Sequence, residues 1–207
     1  MSATEYIVTV GPEGYIAPAA ALMGVQLSDP GQALVEGRIV PEQDALDRVA
    51  DELLAARHPV IFPGPLVLWD WADSVREKAA AIVELAQACG AKIIPMPDYR
   101  PKYPKINPEI EINPNHPNLT IWHNEIDVCL FVGVHCHYAN VALKMIRAET
   151  NCFTVAVCAE AGHEDAMVSL RDAGADKVRA LTQTVRRRKQ ACGGTAAARE
   201  GGAPWQK

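Results

Sequence analysis

The residues best equipped for chemistry sit in FVGVHCHYAN, residues 131–140, where an apolar run reaches Gly133 and then presents His135, Cys136, His137 and Tyr138 in succession. A second group follows Cys158, with Glu160, Gly162, His163 and Asp165 in the stretch AEAGHEDAM. On an extended strand His135 and His137 would lie on one side, where a metal could be shared with Glu160 and His163. Nothing in the spacing specifies a third ligand, and a capping or otherwise satisfied histidine is the plainer reading, so no metal ligand is assigned. Cys136 between two imidazoles has the makings of an activated nucleophile. In an extended segment it would point away from both, which favours a buried cysteine at a strand end, and no catalytic residue is assigned. A third option is an anion or nucleotide. Gly133 at a strand end and Asn140 near a helix start would leave backbone N–H groups for a phosphate. Neither GxGxxG nor GxxxxGK[ST] occurs, and Glu164 and Asp165 would repel phosphate from the helix they open, a helix they more simply stabilise.

These residues depend on the elements that carry them. PEQDALDRVADELLAAR, from Pro41, has acidic residues early and Leu46, Val49, Leu53 and Leu54 at helical spacing, so a helix is expected that ends before Pro59. PVIFPGP reads as a buried strand leaving the sheet at Pro63, Gly64 and Pro65. A helix from about Asp70 to Cys89 follows, closed by Gly90, and then a second strand, AKIIPMP. The pattern recurs as DVCLFVGV, a helical YANVALKMIRAET and NCFTVAVC. Near-continuous apolar strands alternating with helices predict an α/β fold, a doubly wound, mostly parallel sheet covered on both faces. HEDAMVSLRDAGADKVRALTQTVRRRK is expected to supply one or two closing helices broken at Gly174. In such a sheet ligands bind beyond the carboxyl ends of the strands, where strand order reverses. That rule collects Gly64, Gly133, His135, His137, Asn140, Glu160 and His163 into one candidate crevice.

Residues 1–40 are rich in Gly and Pro and read as an irregular N-terminal arm, of the kind that lies against something; residues 41–189 form the domain, and 190–207, of low complexity, are expected to be disordered. Within the domain, residues 95–123 form a long insertion interrupted by seven prolines, Pro95 to Pro117, which exclude a continuous helix or central strand. A loop of this length is usually functional. Tyr99, Arg100, Tyr103, Ile106, Ile110, Ile112 and Trp122 give it aromatic and apolar anchors. Two readings stand: an Ω-loop packed on its own domain, or a band docked on another subunit through these residues.

Bulk composition narrows the function classes. The 207 residues suffice for one α/β domain with appendages, and the 49% hydrophobic and 22% charged fractions are those of a globular chain. A net charge of −5 argues against a nucleic-acid surface. No apolar run is long enough to span a bilayer and the N-terminus lacks a signal-peptide layout, so a cytoplasmic protein is expected. Six cysteines, Cys89, Cys129, Cys136, Cys152, Cys158 and Cys192, lie mostly within apolar runs and form no CxxC, which weighs against an iron–sulfur cluster or structural zinc.

The order HPVIFPGP, helix, GAKIIPMP, insertion, IDVCLFVGVHCHYANVALKMIR and NCFTVAVC resembles the small epsilon-type subunit of carbon monoxide dehydrogenase/acetyl-CoA synthase complexes, over about residues 45–185. FVGVHCHYANVALKMIR is its most particular part. The resemblance implies a Rossmann-like fold of the kind used as the central domain of thiamine-diphosphate enzymes, with no metal cluster or thiamine diphosphate of its own and a flavin-binding or stabilising role suggested. With its TEYIVTVGPEGYIAP arm and its insertion, the chain is similar to the fifth, epsilon-type subunit of 2-oxoacid:ferredoxin oxidoreductases. Those complexes take pyruvate or 2-oxoglutarate with coenzyme A, and their thiamine diphosphate and iron–sulfur clusters reside on other chains. The expectation is a non-catalytic accessory subunit of such a hetero-oligomer, with the arm and the insertion making the main contacts to the large subunits. The alternative is an independent nucleotide- or flavin-binding protein, or an enzyme, that uses His135, His137 and His163.

Overall fold

The computed structural model describes residues 28–68, 72–96, 112–113, 115–157, 163, 165–171 and 174–199, with side chains as far as Ala191. Three expected strands form where apolar runs are unbroken: β3 (Pro59–Pro63), β5 (Val128–Val132) and β6 (Phe153–Val157), every residue of each buried. β4 is shorter than its sequence suggests, with only Lys92–Ile93 in the ladder. Between them run α1 (Glu42–Ala55), the short α2 (Pro65–Leu68), α3 (Asp73–Cys89), α4 (Pro117–His123), α5 (Cys136–Glu149) and, at the end, α6 (Ala175–Arg199). α3 stops where Gly90 takes the left-handed conformation, φ 76°, as its sequence predicts.

The sheet also takes in three strands that the sequence reading did not assign. β1 (Gln32–Val35) and β2 (Arg38–Pro41) form an antiparallel hairpin within what reads as an irregular arm. Its two-residue turn, Glu36 and Gly37, has both residues at positive φ, 49° and 75°, the twist that a tight hairpin requires. β7 (Val168–Leu170) lies in the segment expected to be only helical; its three residues are buried, pair in parallel with β6 and receive β1 on the other side. The observed order is β2-β1-β7-β6-β5-β3-β4, parallel from β7 to β4. The sheet is therefore α/β and Rossmann-like, with an antiparallel hairpin on one edge.

Side chains alternate between the two faces with period two. Val128, Leu130 and Val132 of β5 join a core under α1, α3 and α6, while Cys129 and Phe131 join a second core under α4 and α5. In that second core the Phe62 and Phe131 rings meet at 5.2 Å, tilted by 49°. α4 lies at the end of the insertion and starts at the last of its prolines, which exclude only a continuous helix. Pro117 occupies its first turn, where a missing N–H costs nothing. α6 is described as far as Arg199, past Gln190. Residues 1–27 and 200–207 lie outside the described residues. No described helix is long and apolar enough to cross a membrane.

Candidate functional site

In this strand order the chain leaves β3 toward β4 on one side and returns to β5 on the other, so the order reverses between β3 and β5. A ligand crevice is expected beyond the carboxyl ends of those two strands. Gly64 follows β3 and Gly133 follows β5, and the two loops are bound to each other. Gly64 N–H donates to Val132 O at 2.8 Å and Leu66 N–H to Gly133 O at 3.0 Å, while the Val67 and Leu68 N–H groups close α2 on Gly64 O. The N–H groups of the loop after β3 are thus engaged within the protein.

The absence of both Cβ atoms makes this contact possible. A Cβ on Gly64 would lie 2.5 Å from both Gly133 O and Val134 Cα, and one on Gly133 would lie 2.3 Å from Val67 Cγ2. Gly133 also has φ 64°. Where a strand end with a glycine suggests space for a ligand, the glycines instead let two backbones touch, with Val67 seated on Gly133.

The HCHY residues do not continue the strand. His135 is the N-cap of α5, its carbonyl accepting from the Tyr138 and Ala139 N–H groups at 3.0 and 2.9 Å, and Cys136 and His137 are already in the first turn. The alternation argument for Cys136 therefore loses its premise; the residue is half-buried at a helix start. His135 and His137 are both exposed, with rings near-parallel and centroids 5.8 Å apart. His163, by contrast, is buried. Its Nδ1 lies 2.7 Å from Asn140 Oδ1, and its backbone N–H donates to Ser169 Oγ at 2.8 Å. His163 and Asn140 thus come together, linking the segment after β6 to α5. Glu160 lies outside the described residues, and among the described residues no group of three His, Cys, Asp or Glu side chains is placed to hold a metal ion.

Next to this pair, Asp165 does not open a helix. Its buried carboxylate receives Lys144 Nζ at 2.5 Å and Arg147 Nη1 at 3.5 Å, both from the exposed side of α5. Lys144 and Arg147 went unnoticed in the sequence because cations three apart on a helix face usually mark a solvated surface. A cavity of about 380 Å³ adjoins them, between Arg147, Asp165 and the β1–β2 turn.

Of the residues assigned to docking, Tyr99, Arg100, Tyr103, Ile106 and Ile110 lie outside the described residues. Ile112 is corrected: it is 1% exposed, packs in the second core and donates its N–H to Pro95 O at 3.0 Å. An isolated isoleucine that continues the sheet edge is drawn into the nearest apolar core. Trp122 is 50% exposed on α4, where a tryptophan is an unusual surface residue.

Among curated proteins none is a significant match to the chain. A family model described as CO dehydrogenase beta subunit/acetyl-CoA synthase epsilon subunit matches residues 25–185, from just before the hairpin to the middle of α6. With that match spanning most of the chain and all seven strands of the wound sheet, the protein belongs to the CO dehydrogenase beta/acetyl-CoA synthase epsilon family.

Proposed function

We propose that the chain is a non-catalytic accessory subunit that helps to assemble a coenzyme A-dependent, ferredoxin-linked oxidoreductase complex. At the level of the family this is a complex of the CO dehydrogenase/acetyl-CoA synthase kind; the arm and the Pro-rich insertion favour a 2-oxoacid:ferredoxin oxidoreductase in particular. The observation that carries the reading is the closed junction at Gly64 and Gly133, which fills the place where a wound sheet of this order opens its ligand crevice. A domain that keeps the fold and fills the crevice has its surface left to work with.

Two features support a docking role for the insertion. Trp122 offers a half-exposed aromatic anchor. Pro95 and Ile112, hydrogen-bonded to each other, hold the two ends of segment 97–111 side by side, so the core tolerates whatever that segment engages. Thiamine diphosphate and iron–sulfur clusters belong, on this reading, to the large partner subunits, and the chain contributes no cofactor of its own.

The test is a mild affinity purification of the tagged chain from its native cells, followed by mass spectrometry and an absorption spectrum. Large oxidoreductase subunits in fixed ratio are the expected outcome, and their identity decides between the two complexes. A chain that elutes alone and folded, or one that carries a stoichiometric flavin spectrum, overturns the accessory reading.

A further inference from the structure

We draw no further inference here: the strongest candidate, the cavity between Arg147, Asp165 and the β1–β2 turn, sets a cation already ion-paired to the buried Asp165 beside a second carboxylate, Glu36, and nothing among the described residues shows which ligand would fill it.

Discussion

Gly64 and Gly133 meet backbone to backbone across the junction of β3 and β5, so close that a Cβ on Gly64 would lie 2.5 Å from the Gly133 carbonyl oxygen. Gly64→Ala therefore has no flexible neighbour to displace. It is expected to cost ~3 kcal/mol or more by overpacking, a fall in Tm of roughly 6–12 °C for a chain of this size, measured by thermal unfolding. At Gly133 the obstructing atom is Val67 Cγ2, so Gly133→Ala should be partly rescued by Val67→Ala in a double-mutant cycle, leaving the strain of φ 64°. No second-site change of a side chain at Val67 is expected to rescue Gly64→Ala.

The insertion and the core separate at Ile112. Replacing residues 97–111 by a short Gly–Ser linker is expected to change stability by no more than ~1 kcal/mol, since the ends are already adjacent and loop closure depends weakly on length. The same replacement should abolish capture of the large subunits. Ile112→Ala should instead cost ~2–4 kcal/mol of folding stability, as for any buried isoleucine in a packed core. Trp122→Ala should leave denaturant unfolding nearly unchanged and weaken partner capture by roughly 30-fold, the effect of losing an aromatic anchor worth ~2 kcal/mol.

Asp165 and its two cations are unequal partners, because the carboxylate is buried while Lys144 and Arg147 are more than half exposed. Asp165→Asn leaves two charges that water can solvate and is expected to cost about 1 kcal/mol. The double change Lys144→Met with Arg147→Met leaves an uncompensated buried carboxylate and should cost about 3 kcal/mol. Urea titrations of the two variants check the order; equal costs would mean that the carboxylate is solvated in the folded protein.

Asp127 clasps the entry to β3, its carboxylate accepting the Arg57 N–H at 2.7 Å and the His58 N–H at 3.0 Å. Partial burial works to raise its pKa, but these backbone donors, with His58 nearby, hold it below the usual carboxylate value. A depressed folded pKa contributes stability above the unfolded value of about 3.9 and loses it as pH falls through the lower folded value. Asp127→Ala should accordingly cost ~1 kcal/mol near neutral pH, limited by solvent screening, and the gap from the parent protein should narrow below about pH 4. Denaturant midpoints measured at pH 7 and pH 3 read this directly.

Thiol chemistry should follow position rather than sequence context. Burial first, and then the neighbouring Cys152, push the Cys129 thiol well above its ordinary range. Among Cys89, Cys129, Cys136 and Cys152, a thiol reagent at neutral pH should label half-buried Cys136 before any other and Cys129 only on unfolding. Labelling followed by peptide mapping gives the order.

The wound sheet was legible because its central strands are unbroken apolar runs and its helices carry apolar periodicity; Gly90 closing α3 and the apolar runs PVIFP, VCLFV and FTVAV are local properties that no distant contact had to decide. Strands β1, β2 and β7 were not legible, since three- and four-residue pieces become strands only when a neighbour completes their hydrogen bonds. The same limit applied to the site. The sequence by itself brought Gly64, Gly133, His135 and Asn140 to one end of the sheet, through the order of the elements alone. Only tertiary structure decided that the two glycines close the junction, that HCHY begins a helix, and that Lys144 and Arg147 turn to a buried Asp165. Those outcomes depend on distances between residues far apart in the chain, which composition and periodicity do not contain.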